Sequence, residues 1–211
     1  VMGQNKFNVL HWHITDDQSW PFVSETFPEL SEKGAYSKHA IYSHADAQRV
    51  IEEGYLRGIR VIPEFDLPGH SQVLNRSHPE LMSHCANAQP LDPTLPEVYD
   101  FVEKLYQEVT QLFPDKYIHI GGDEVRLDCW KHVDSIQKWA KAHDMTEYNL
   151  LNYFESILTD IVASCGKTPI VWQELLNEGV DLPTGTVIDV WKGFDKQTIQ
   201  NATKRHYPVV I

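Results

Sequence analysis

The chain has 211 residues, enough for one domain with a sizeable core. Its 42% hydrophobic and 23% charged residues are ordinary values for a globular protein. Eighteen Lys and Arg against 30 Asp and Glu leave a formal net charge of −12, which speaks against nucleic acid and anionic membrane surfaces, both of which are bound through basic faces.

Taken in chain order, Lys6–Ile14 reads as a strand, followed by a long loop through Tyr42. Ser43 to Asp46 has the form of a capping box with Asp as the acceptor. The helix it opens is predicted to carry Ala47, Val50, Ile51 and Tyr55 on one face and to stop at Gly58. Residues 59–65 read as a second strand, which runs into Asp66-Leu67-Pro68-Gly69-His70. Apolar residues at helical spacing predict a helix over 96–112, and residues 116–120 a strand that breaks at Gly121-Gly122. Helices are predicted around 134–143 and 146–164, strands over 169–173 and 186–191, a helix near 195–204 and a last strand over 207–211. No run approaches the roughly 20 apolar residues of a membrane-spanning helix.

Strand–helix alternation predicts an α/β fold with a parallel sheet and right-handed crossovers. An open doubly wound sheet usually carries a glycine-rich phosphate loop, and none follows any strand here. Asp16 and Asp17, Asp66 and His70, Asp123 and Glu124, and Gln173 and Glu174 all fall just past strand ends. A (β/α)8 TIM barrel gathers such ends at one mouth, where active sites are built. Roughly six strands are countable where a closed barrel has eight, and an open barrel exposes two sheet edges. The sequence therefore reads as one partial catalytic barrel over 1–211, roughly strands two to seven, with the first and last strands and any N-terminal domain outside it.

The segment from His119 to Glu124 carries the most chemical information. A strand delivers two adjacent carboxylates to the barrel mouth, and Gly121-Gly122 lets backbone approach a ligand closely. Two such carboxylates in an acidic chain are most often a solvated turn; a Gly-Gly pair at a barrel strand end favours function. Glycoside hydrolysis needs an acid for the departing oxygen and stabilisation of oxocarbenium-like charge. Neighbours along a strand point in different directions, so Asp123 and Glu124 are expected to do different jobs, which suits a substrate that supplies its own nucleophile. Trp172 and Trp191 end successive strands and read either as core tryptophans or as a wall for sugar rings. Cys85, Cys129 and Cys165 include no CxxC pair. Cys85 and Cys129 fall in predicted loops, where a disulfide and two free thiols are both open. Asn75 and Asn201 begin N-glycosylation triplets.

His11-Trp12-His13-Ile14-Thr15-Asp16-Asp17, Glu64 to His70, His119 to Glu124, Val171 to Glu174 and Val190-Trp191 together closely resemble glycoside hydrolase family 20. The lysosomal-type β-hexosaminidase subunits are the nearest form, and the resemblance covers essentially the whole chain. It implies a retaining β-N-acetylhexosaminidase that removes terminal non-reducing β-linked N-acetylglucosamine or N-acetylgalactosamine without metal or other cofactor. It implies Glu124 as general acid and base, Asp123 as the residue that orients the 2-acetamido group for attack on the anomeric carbon, and an oxazolinium intermediate. Asp16 and His70 are implied as a pair supporting Glu124, and Trp172 and Trp191 as walls of the acetamido pocket, with Asp17 and Glu174 as further substrate-binding residues. It also implies a Cys85–Cys129 disulfide, a glycan or glycoconjugate substrate, a lysosomal or secreted location, and a parent protein able to dimerise. A first-strand arginine, a late-strand tyrosine and a tryptophan–glutamate pair of the family's sugar pocket lie outside the sequence, so the 211-residue piece alone is expected to be inactive and poorly folded.

Three rival readings stay open. His11 and His13 share a strand face and resemble the His-x-His zinc ligands of amidohydrolase-type barrels, with His70 and His119 as further candidates. That reading leaves Gly121-Gly122-Asp123-Glu124 unexplained. A non-catalytic sugar-binding homologue is the second, because fold does not guarantee chemistry, and another barrel glycosidase with a dedicated enzyme nucleophile, indifferent to the substrate's acetamido group, is the third.

Overall fold

A computed structural model describes residues 1–85, 89–193 and 195–211. Six strands form one parallel sheet in chain order: β1 (Val9–His13), β2 (Arg60–Glu64), β3 (Tyr117–His119), β4 (Thr168–Trp172), β5 (Val187–Asp189) and β6 (Val209–Val210). Every neighbouring pair is parallel, as crossovers through helices require. Among the described residues, eight α-helices connect or flank them: α1 (Glu29–Gly34), α2 (His44–Tyr55), α3 (Pro96–Leu112), α4 (Leu127–His132), α5 (Asp134–Ala142), α6 (Glu147–Ser164), α7 (Gln173–Asn177) and α8 (Lys196–Lys204). The sheet curls into part of a barrel with helices outside it.

The period of two along each strand separates the faces. Val61, Ile118, Val171 and Ile188 join the main core under the helices, while Ile62, Ile170 and Val187 form a small inner cluster. Helix α3 buries Val98, Phe101, Val102, Leu105, Tyr106 and Val109 in that main core, the stripe its 3.6-residue period predicts. Against it packs α6, through Leu150, Leu151, Phe154, Leu158 and Val162.

The predicted capping box at Ser43 is formed: the Ser43 hydroxyl accepts from the Asp46 N–H, and the Asp46 carboxylate accepts from the Ser43 N–H. Thr146 and Asn149 make the same reciprocal pair at the start of α6. Three expectations need correction. Tyr55 does not share the buried face of α2; it is 82% exposed, because the helix ends there and the chain turns through Leu56 and Arg57 before Gly58, whose φ is +69°. The stretch up to Tyr42 is not one loop, since it holds α1, which buries Leu30. Cys129 lies within the short helix α4 rather than a loop, with its sulfur bonded to Cys85 across 44 residues of sequence. Closing a loop of that size removes about 4 kcal/mol of entropy from the unfolded chain on the chain-entropy model. Cys165 is free.

Glu155, on the inner side of α6, is completely buried, and neither carboxyl oxygen has a hydrogen-bond partner among the described residues. Burial pushes its pKa well above the usual carboxylate range, and the charge of Glu178 pushes the same way. The folded state therefore holds this proton where the unfolded chain has released it. Stability is full near and below pH 4.5, the ordinary glutamate value, and falls as pH rises above it, by up to about 1.4 kcal/mol per pH unit, until the folded group ionises too. Glu155→Gln removes that dependence. In thermal melts of the intact protein its Tm is expected to gain on wild type at pH 7.5 relative to pH 4.5; an equal difference at both pH values would refute the assignment.

Candidate active site

The site begins where β3 ends. Gly121 and Gly122 adopt φ of +76° and +91°, a region open to glycine and strained for other residues. Space demands glycine as well. A Cβ on Gly121 would stand 1.8 Å from Asp66 Oδ1, and one on Gly122 would stand 2.6 Å from Leu175 Cδ1. This close approach lets the Gly122 N–H donate to Asp66 Oδ1 at 2.9 Å. The turn then separates the next two carboxylates. Asp123 is 9% exposed, whereas the Glu124 side chain is about half exposed.

Two non-glycine residues at the mouth are left-handed: Glu124 with φ of +51° and His70 with φ of +45°. Such backbone costs on the order of 1–3 kcal/mol per residue and persists where the surroundings enforce it. Here it turns the two side chains toward each other. His70 Nδ1 lies 3.0 Å from Asp16 Oδ1, and its Nε2 lies 3.7 Å from Asp123 Oδ2 and 3.8 Å from Glu124 Oε2. Burial pulls the imidazole pKa down, but the charge of Asp123, the hydrogen bond to Asp16 and the charges of Asp16 and Asp17 outweigh it and leave the pKa raised. Asp16, His70, Asp123 and Glu124, which come from three different strand ends, thus form one cluster. Asp17 stands at its rim, with one carboxylate oxygen accepting from the Gln72 N–H at 3.0 Å.

Below the mouth, Glu64 at the end of β2 is wholly buried inside the curl. Its Oε1 accepts from the Trp172 indole N–H at 2.8 Å, and His11 Nε2 donates to its Oε2 at 2.5 Å. His119 stacks on His11 with ring centroids 4.6 Å apart and lies 4.4 Å from Trp172. Its Nδ1 accepts the Gly121 N–H at 3.1 Å, so its proton is on Nε2, which faces Asp189 at 3.8 Å. Burial, then the charges of His11 and His13, hold the His119 pKa well below the ordinary histidine value. His11, Glu64 and His119 have the spacing to hold a metal ion. The lone pairs a metal would need on Glu64 and on His119 Nδ1 already accept protein donors, so the arrangement fits a hydrogen-bonded support for Trp172 better than a His-x-His metal centre.

Trp191 lies two residues past β5, 45% exposed, with its ring 6.3 Å from Trp172 at an interplanar angle of 64°. Its indole N–H is shared by both Glu174 oxygens at 3.1 Å, and Lys192 Nζ pairs with Glu174 Oε1 at 2.7 Å. Glu174 therefore holds the Trp191 segment against α7, and Gln173 helps by accepting the Lys192 N–H. Of the two glycosylation triplets, Asn75 is exposed, and Asn201 is half-buried on α8.

Sequence reasoning passed over Glu64 and gave Asp66 no role. Asp66 is almost fully buried and faces Asp123; burial first, then the charges of Asp123 and Glu64, hold its pKa well above the usual carboxylate range. A signal was present. Glu64 and Asp66 stand two apart just after the apolar run Val61-Ile62-Pro63, and the period of two turns both toward the interior.

The family model for the catalytic domain of glycosyl hydrolase family 20 matches residues 1–211. The chain belongs to glycosyl hydrolase family 20. Among the relatives of this family 20 chain is the β-hexosaminidase subunit beta of Mus musculus, 45% identical over 222 residues, an alignment spanning all of this chain and 41% of that protein. The β-hexosaminidase subunit beta of Homo sapiens is 41% identical over 222 residues, again across the whole chain and 40% of the relative. The crystal structure of a Vibrio harveyi exo-β-N-acetylglucosaminidase in complex with N-acetylglucosamine superposes with a TM-score of 0.88 at 28% identity, over 99% of this chain and 36% of that one. The chain thus spans about two fifths of the length of the curated relatives it matches.

Proposed function

We propose that this chain carries the central catalytic machinery of a retaining β-N-acetylhexosaminidase that removes terminal non-reducing β-linked N-acetylglucosamine or N-acetylgalactosamine. The observation that carries the reading is the divergence of Asp123 and Glu124: adjacent carboxylates, one buried and one open, joined through His70 to Asp16. Glu124, at the open mouth, protonates the glycosidic oxygen and later activates water. Asp123 accepts a hydrogen bond from the acetamido N–H and aims the acetamido carbonyl at the anomeric carbon. As that oxygen attacks, the bond to the aglycone breaks, its electron pair takes the proton of Glu124, and an oxazolinium forms. Water, deprotonated by Glu124, opens it from the face that the aglycone left, so configuration is retained without a nucleophile from the protein, a known exception to the two-carboxylate rule. Trp172 and Trp191 supply faces against which the acetamido methyl and sugar ring pack.

The disulfide suits an oxidising compartment, which supports a secreted or lysosomal enzyme acting on glycans or glycoconjugates. No helix among the described residues is long and apolar enough to cross a membrane. The test compares an aryl β-N-acetylglucosaminide with the matching aryl β-glucoside, using the intact protein. Turnover of the acetamido sugar at least about 10³-fold faster is expected, since the glucoside lacks the internal nucleophile that gives intramolecular reactions their high effective molarity. Comparable rates on both sugars would replace this reading with a glycosidase that uses its own nucleophile.

A further inference from the structure

Asp66 is a buried acid that the mechanism above does not use. A carboxyl oxygen of Asp66, a carboxyl oxygen of Asp123 and a ring nitrogen of His70 all lie within 4.8 Å of one another. Asp66 Oδ1 is committed to the Gly122 N–H. Its Oδ2 and Asp123 Oδ1 are both buried, and neither has an N–H or other fixed donor among the described residues. Two carboxylates in that position repel, and a single proton between them converts the repulsion into a hydrogen bond.

We propose that Asp66 is a positioning residue that stays protonated and donates its O–H to Asp123, fixing the rotamer in which the other Asp123 oxygen meets the acetamido N–H of the substrate. This rests on the proposed hexosaminidase reading. Asp123 has few other restraints: His70 Nε2 stands 3.7 Å away, beyond hydrogen-bond distance. Asp66 is itself held on three sides, by the Gly122 N–H, by the Cα surface of Gly121, and by the chain at Phe65, whose carbonyl accepts the Tyr106 hydroxyl at 2.9 Å. The titratable groups facing it are Asp123 beyond β3, Glu64 on β2, His13 on β1, His70 in the following loop and Tyr106 on α3. Glu64 and Asp123 favour the protonated form of Asp66. The proton therefore resides on Asp66.

Acetamido recognition should then weaken as pH rises and this proton leaves, because Asp123 loses its donor and gains a like charge. An asparagine at 66 keeps an acceptor for Gly122 and supplies an N–H that does not titrate. The measurement is calorimetric binding of N-acetylglucosamine from pH 4 to 9 in the intact protein carrying Glu124→Gln, which removes the titration of the general acid. We expect affinity to fall toward alkaline pH, approaching about tenfold per pH unit above the controlling pKa. Adding Asp66→Asn should keep affinity at pH 5 within about threefold and flatten the alkaline fall, while adding Asp66→Ala should lower affinity by about tenfold or more at every pH. The inference is overturned if Asp66→Asn shows the same alkaline fall as its parent, or if a folded Asp66→Ala protein binds as its parent does. Should Asp66→Ala fail to fold, the asparagine profile alone decides. Glucose measured alongside separates the two levels: equal affinity for glucose and N-acetylglucosamine in the parent would reject the acetamido reading itself.

Discussion

Replacing Glu124 with glutamine in the intact protein is expected to lower kcat on an unactivated β-N-acetylglucosaminide by about 10²–10⁴-fold, the usual contribution of a general acid. The substitution keeps the size and hydrogen-bonding reach of the side chain and removes only its proton chemistry. Because half of the Glu124 side chain faces solvent and its ion-pair contact with His70 is a loose 3.8 Å, stability should change little, and melts should superimpose within a few degrees. KM should stay near the wild-type value, since the proposed mechanism places the acetamido grip on Asp123. The leaving group supplies a sharper signature. An aryl glycoside whose phenolate departs without protonation should lose much less in bond cleavage than an alkyl glycoside, because only the second needs the acid. Equal losses on both substrates would remove Glu124 from the acid role and assign it to ground-state binding.

Gly121→Ala is expected to destabilise the intact protein by roughly 4 kcal/mol or more and to abolish activity, although the residue carries no reacting group. Two physical effects combine. The backbone at φ of +76° penalises any Cβ, and that Cβ would lie 1.8 Å from Asp66 Oδ1 and 2.7 Å from Asp66 Cα. A flexible side-chain tip could yield, but a Cα cannot move without β2 and its neighbours. Relief would push the β3 turn away from Asp66, break the 2.9 Å bond from the Gly122 N–H, and carry Asp123 and Glu124 out of register with His70. Gly166→Ala is the control. It too has a positive φ, of +74°, but nothing lies within 4 Å of its added Cβ, so only the backbone penalty of roughly 1–2 kcal/mol applies. Denaturant melts of both variants test this, and equal losses would show that the contact with Asp66 carries no weight.

How much of this was legible beforehand can be judged from particular residues. The six strands, the Ser43 capping box and the apolar stripe of α3 follow from period and cap chemistry, which are local properties. Asp16, His70, Asp123 and Glu124 were singled out because each follows a strand, and parallel strands bring their C-terminal ends to one mouth. The family was legible too, since the motifs from His11 to Trp191 keep their order along the chain. Local pattern misled at Tyr55, where helical spacing continues past the point at which α2 leaves the core, and at Cys129, whose short helix has no periodic length to announce it.

What only the tertiary structure decided is which polar atoms are left for chemistry. Glu174 reads as a mouth residue in the sequence, yet its oxygens are occupied by the Trp191 indole and Lys192. Asp17 similarly spends an oxygen on the Gln72 N–H. His11 and Glu64, 53 residues apart, meet at 2.5 Å because β1 and β2 pair in register from Val9–Arg60 to His13–Glu64. The turn after β3 closes on Asp66 because Gly121 has no side chain to keep them apart. Sequence period fixes the face on which a residue lies, and a strand end fixes the layer it reaches. Whether a carboxylate there is charged, neutral or already hydrogen-bonded depends on desolvation and on partners from distant strands, which the folded arrangement alone supplies.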